Sequence, residues 1–333
     1  MERVGIALAG NILTDNVKMV EVYPEKGMLA TITQESLAVG GAVPNTGIDI
    51  KKIDPEMQVS AFGRVGDDDK GKYVVGVMQS IGLNVDGVKV SKTAPTSYSD
   101  VITVCGTGER TFFHNRGANA EFCPDDVDLN KLDCKILHVG YLMLLDAFDK
   151  VDRNGETPMS AFLEKARSLG INTSVDMVSE SSGNFHKVAV AALKHCDYVI
   201  IDEVEAGEIV GIPARDKSGK LDDDSVKTIM ERLINMGVKE KVVVHCPEKG
   251  FCLNKNGKFV CVPSVKLPKG FIKGSVGAGD AFCAGALYGI YHGYDDGEML
   301  IFANAVAVGC LSAPDSISGV RKKEDLISLI NCL

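Results

Sequence analysis

The sequence predicts a three-layer α/β fold: a mainly parallel central sheet between two layers of helices, with a small β-sheet set apart from it. Three observations carry that prediction. Short apolar runs alternate with amphipathic stretches along most of the 333 residues, the pattern of repeated βα units. Two pairs of strand-like segments, each joined by a glycine-containing turn, interrupt the alternation and read as β-hairpins inserted between those units. No segment recurs at a fixed period, which argues against a solenoid.

The first apolar run, residues 4–9, is too short for a signal h-region or a membrane span and reads as a buried strand. The first hairpin is expected from residues 18–23 and 28–33, turning at Pro24-Glu25-Lys26-Gly27. A helix over 43–53 follows, with Pro44 in its first turn, where a missing N–H costs nothing. Strand 58–65 and helix 70–81 form the next unit, and the second hairpin is expected from 97–105 and 111–115 around Gly106-Thr107-Gly108-Glu109. Apolar runs at 135–139, 172–176, 198–201 and 242–246 predict four more buried strands. Periodic stretches at 159–169, 185–194 and 225–236 predict helices between and after them, and three further helices are expected onward from Phe282, Gly297 and Lys322.

One segment points to chemistry. In Gly274-Ser275-Val276-Gly277-Ala278-Gly279-Asp280 a glycine-rich turn runs into an alanine-rich helix, predicted over 281–291, with one carboxylate at its entrance. The backbone N–H groups of Gly277, Ala278 and Gly279 can converge on one anion, and the helix aims its positive dipole end at the same point. A carboxylate beside a bound phosphate is repelled, so Asp280 makes chemical sense as the base that deprotonates a hydroxyl attacking that phosphate. Read as sequence alone, the same residues also fit a turn and a helix cap. Asp15 stands just after the first strand, where α/β folds place ligands. Asp202 and Glu205, three apart at a helix start, suit a Mg²⁺ ion held through its water shell, or simply a helix N-terminus.

Gly277-Ala278-Gly279-Asp280 resembles the C-terminal signature of the ribokinase-like (PfkB) carbohydrate kinases. Gly40-Gly41-Ala42-Val43-Pro44-Asn45, Phe62-Gly63-Arg64-Val65-Gly66-Asp67-Asp68 and Gly117-Ala118-Asn119-Ala120 resemble other motifs of that family, in family order. The resemblance implies one ribokinase-like domain over residues 1–333, with a β lid inserted at about 12–39 and 91–116 that closes over the substrate and excludes water. It implies an ATP-dependent kinase acting on a hydroxyl of a small sugar or sugar acid, with Asp280 as base and Gly277, Ala278 and Gly279 as anion hole. Asp15, Gly40, Gly41, Asn45, Asn115 and Arg116 are then expected at the substrate. Asp202, His245, Gly250, Ser275, Gly277, Gly279 and Asn304 are expected at the nucleotide, and Glu205 with Asp202 at Mg²⁺ through water. A nucleoside kinase of the same fold, or a catalytically weak sugar sensor, are the alternatives. Three positions depart from the family pattern. Asp202 stands for the asparagine of Asn-x-x-Glu. His245-Cys246-Pro247 stands for Thr-x-Gly, and Pro247 has no N–H for a phosphate. Gly274-Ser275 stands for Asp-Thr, which removes a carboxylate used for a monovalent cation.

Composition sets the outer bounds. With 36 basic and 45 acidic residues the chain has a formal net charge of −9, so no broad cationic surface for nucleic acid or anionic lipid is expected. The 10 cysteines include no C-x-x-C pair, the pattern of reduced thiols in a cytoplasmic protein rather than of a disulfide framework or zinc ribbon. The lid sheet can either pair between two subunits as a homodimer or stay free, and the sequence leaves both open. There is no G-x-x-x-x-G-K-[ST] loop and no H-R-D catalytic loop, which removes the other common nucleotide solutions.

Overall fold

The structure, a computed structural model, describes residues 3–178 and 185–333. It opens with β1 (Ile6–Gly10), then β2 (Leu13–Val20), β3 (Ile32–Gly40) and α1 (Ala42–Ile53). Next come β4 (Val59–Gly66), α2 (Asp69–Ser80), β5 (Asn84–Ser91), β6 (Ser97–Val104) and β7 (Arg110–Asn115). The middle of the chain supplies β8 (Ile136–Leu142), a one-turn α3 (Asp146–Asp149), α4 (Pro158–Ser168), β9 (Asn172–Met177) and α5 (Phe185–Leu193). Then follow β10 (Tyr198–Asp202), α6 (Glu203–Val210), α7 (Asp223–Asn235), β11 (Lys241–His245), β12 (Lys249–Asn254) and β13 (Phe259–Pro263). Three helices end the chain: α8 (Ala278–His292), α9 (Asp296–Leu311) and α10 (Lys323–Asn331).

The large sheet runs β13-β12-β11-β10-β9-β8-β1-β4-β5 and is parallel except where β12 pairs antiparallel with both neighbours. Side-chain alternation builds the layers. On β11, Val242 and Val244 join one apolar cluster and Val243 the other; on β1, Ala7 and Ala9 face the first, Ile6 and Leu8 the second. The first cluster packs under α4 to α7, the second under α1, α2, α8, α9 and α10. Being buried on both faces, these strands read in the sequence as unbroken apolar runs.

From β1 the chain moves to β4 on one side and later to β8 on the other, so a crevice opens at the C-terminal ends of these strands. Over it stands the small sheet, ordered β3-β2-β6-β7, its hairpins joined in parallel through β2 and β6. Its first hairpin differs from expectation. The second strand begins at Ile32, not residue 28, because Met28 and Leu29 project into solvent and gain nothing from pairing there. Strand β3 was hidden by Gln34, Glu35 and Ser36, which face water. Strands β5, β12 and β13 also lie outside the expected set. Helix α8 starts at Ala278, three residues earlier than residue 281.

Candidate active site

The entrance of α8 is built around Gly277, whose φ of 76° is left-handed and whose added Cβ would lie 2.5 Å from Cβ of Ser316. Among the described residues no side chain caps this helix, and apart from a 3.4 Å bond from Ala278 N to Ser275 O its first-turn N–H donors are left for a ligand. Gly279 keeps the approach low: a Cβ there would sit 3.3 Å from His245 Cε1. Asp280, in the first turn and 6% exposed, does not cap the helix. Its carboxylate accepts from Tyr141 Oη at 2.7 and 2.8 Å and from Asn45 Nδ2 at 2.8 Å. Burial pushes its pKa up to about 6, against the pull of those two donors. A buried, unpaired carboxylate of that basicity is suited to taking a proton at neutral pH.

Asp280 opens into a cavity of about 960 Å³ that runs beneath the small sheet. Asp15 (β2), Gly41, Asn45, Arg116, Asp202, Glu205, His245, Ser275, Gly277 and Gly279 line the same cavity. Asp15 is raised to about 7 by burial first and by the Asp280 charge second, with Arg110 opposing. Gly40 acts through Asp15, since a Cβ at Gly40 would fall 2.5 Å from Asp15 Oδ2. Asn45 is fixed by Ser316, whose hydroxyl donates to its Oδ1 at 2.9 Å while its Nδ2 serves Asp280. Arg116 donates to Met143 O at 2.8 Å and pairs with Asp146 at 2.6 Å. Asn115, Ala278, Gly250 and Asn304 are not among the lining residues. Asn115 ends β7 opposite Tyr98. Gly250 pairs with His245 in the sheet, and Asn304 on α9 donates to Pro263 O at 3.4 Å.

A family model described as pfkB family carbohydrate kinase matches residues 6–323. The chain belongs to this family. This kinase is 24% identical to an uncharacterized sugar kinase of Archaeoglobus fulgidus over 81% of its own length and 97% of the relative's. It is 22% identical to the ribokinase of Arabidopsis thaliana over 98% of its length and 80% of that protein's. The solved Arabidopsis thaliana ribokinase complexed with ribose and ATP superposes with a TM-score of 0.79 at 19% identity, covering 99% of both chains. A nucleoside kinase of Methanocaldococcus jannaschii superposes with a TM-score of 0.75 at 18% identity, covering all of both chains. The protein is thus a sugar or nucleoside kinase of ribokinase fold, and no helix among its described residues is long and apolar enough to cross a membrane.

On the far side of the kinase's cavity, Asp202 and Glu205 form a reciprocal capping box on α6. Glu205 N donates to Asp202 Oδ1 at 2.7 Å and Asp202 N to Glu205 Oε2 at 3.1 Å. Burial raises the Asp202 pKa. His245, at the end of β11, packs on Phe282 with centroids 4.9 Å apart and is held neutral by burial, its pKa lowered to about 4.

Several cavity residues gave no sequence signal. Tyr141 ends β8, and only the strand-end rule could have marked it. Arg110, at the start of β7, donates from Nη1 to Ser275 Oγ at 3.2 Å and so joins the small sheet to the glycine turn. His114 accepts or donates at Nδ1 with Ser99 Oγ at 3.1 Å, while its buried Nε2 has no partner among the described residues.

Proposed function

We propose that this protein transfers the γ-phosphoryl group of ATP to a primary hydroxyl of a small sugar or sugar acid. The observation that carries the reading is the single cavity shared by an uncapped helix entrance, the buried carboxylate beside it and a second carboxylate under the small sheet. Asp280 takes the acceptor proton, and Tyr141 and Asn45 keep its carboxylate ionised and aimed. The N–H groups of Gly277, Ala278 and Gly279 gather the charge of the phosphoryl oxygens in transit. Asp15, Asn45 and the backbone at Gly41 grip the sugar hydroxyls, and the unpartnered His114 Nε2 offers one more polar contact. Arg110 brings a cation from the small sheet to the glycine turn, where it screens the transferred phosphate.

The hard-oxygen pair Asp202 and Glu205 suits Mg²⁺ held through water, which would bridge and neutralise nucleotide phosphates. Gly274 supplies no carboxylate to a monovalent cation. The exposed Leu37 and Phe113, which lie in one register row on the face of the small sheet opposite the cavity-lining Phe112, favour a homodimer through the lid, and the 10 free cysteines fit a cytoplasmic setting. A nucleoside acceptor is the second reading, favoured by the likeness to the Methanocaldococcus jannaschii nucleoside kinase. Acceptor-dependent ADP release, screened over pentoses, ketohexoses, sugar acids and nucleosides, tests both. Release with a free sugar or sugar acid is expected, release only with nucleosides would favour the second reading, and release with none would refute both.

A further inference from the structure

One helical turn below the candidate base lies a cluster that phosphoryl transfer does not use. His138 comes from β8, Asp176 from β9 and Cys283 from α8, where Cys283 follows Asp280 by three residues and so shares its face. They are 2%, 8% and 1% exposed, and one ligand atom of each lies within 4.8 Å of the others. His138 Nε2 stands 3.6 Å from Cys283 Sγ. That spacing matches the edge of a tetrahedron whose metal bonds are about 2.0 Å to nitrogen and about 2.3 Å to sulfur. The other ring nitrogen, Nδ1, is held by Ser174 Oγ at 2.9 Å, the outer-shell contact that fixes a ligating imidazole. Burial lowers the His138 pKa to about 3, so its ring is neutral and keeps a lone pair.

Burial first, then the charges of Asp280 and Asp202, push the Asp176 carboxyl well above its usual range, and burial, Asp176 and Asp280 do the same to the Cys283 thiol, so a bound cation would relieve both groups. Asp176 also lines the cavity, which gives an ion a way in and leaves a fourth position for water.

We propose that His138, Asp176 and Cys283 form a three-ligand Zn²⁺ site, open toward the cavity, whose occupancy inhibits the kinase. A set of thiolate, imidazole and carboxylate selects Zn²⁺ over Mg²⁺. As the metal bonds form, the proton of the Cys283 thiol, and that of the Asp176 carboxyl where it is protonated, leave to buffer. A dication beside Asp280 stabilises its charged form and weakens it as a base. The inhibition rests on the role of Asp280 in the proposed function; the binding does not.

Co²⁺ titration of the full chain carrying Cys105→Ser and Cys332→Ser, which removes the two exposed thiols, is the test. One Co²⁺ per chain is expected, with a thiolate-to-metal charge-transfer band and intense tetrahedral visible bands, displaced by one Zn²⁺. Cys283→Ser and His138→Asn should each abolish the bands, and Ser174→Ala should weaken binding by about 10–100-fold. Absence of the bands in the parent, or their survival in Cys283→Ser, overturns the site without recourse to activity. Should Cys283→Ser fold poorly, the parent alone still decides, through the thiolate charge-transfer band and its displacement by one Zn²⁺. With the site confirmed, Zn²⁺ that slows the parent and Cys283→Ser equally would overturn the inhibitory role alone.

Discussion

At Asp280 two effects oppose each other: burial raises the pKa, and the hydroxyl of Tyr141 and the amide of Asn45 lower it, leaving it at about 6. The proposed base is therefore ionised at neutral pH, and kcat/KM is expected to fall as pH drops through that value. Tyr141→Phe removes the stronger of the two donors, so the acidic limb should move to higher pH; a pH–rate profile with an unmoved limb would contradict this role for Tyr141. The same shift has a consequence for stability. A carboxyl whose folded pKa lies above its ordinary value of 3.8 favours folding below 3.8 and loses that contribution as pH rises through about 6. Asp280→Asn should therefore melt no lower than the parent at pH 7, and a thermal melt checks it. Active-site carboxylates kept charged in buried positions cost stability for function.

On helix α8 two glycines have different work. Gly285 lets α8 approach α9, since a Cβ there would fall 2.7 Å from Cα of Ala303, a backbone atom that cannot step aside. Gly285→Ala should cost about 1–3 kcal/mol by overpacking, read from chemical denaturation. Gly279 has only the His245 ring nearby, and alanine is the better helix former, so Gly279→Ala should keep the melting temperature while lowering turnover by closing the anion nest. A Gly279→Ala protein with normal kcat would remove that nest from the mechanism. Legibility followed burial. Strands β8 to β11 were readable because both faces are apolar, and the glycine turn and helix start at Gly277 to Asp280 through the residues and the family resemblance together. The edge strands β3, exposed at every residue from 32 to 37, and β5 carry polar residues that hide the period. Tyr141, Arg110 and His114 meet only through tertiary contacts, and local sequence does not encode where strand ends converge.

Taken whole, the molecule places its parts on two sheets: the proposed base and anion nest on the large body, Asp15 and Arg110 on the small sheet. Arg110 is the tie, reaching Ser275 across the cavity, and Asp15 opposes the effect of desolvation on its charge. Arg110→Ala should leave the fold intact and lower kcat/KM by about 10–100-fold, the worth of a charged hydrogen bond. An unchanged kcat/KM would place Arg110 outside the reaction. The central claim is that one buried carboxylate strips the acceptor hydroxyl of its proton beside an uncapped helix entrance. Turnover of Asp280→Asn, measured with calorimetric binding of whichever acceptor the screen identifies, tests it most directly. Retained acceptor binding with kcat reduced about 10²–10⁴-fold is the predicted result; near-normal kcat would contradict the account.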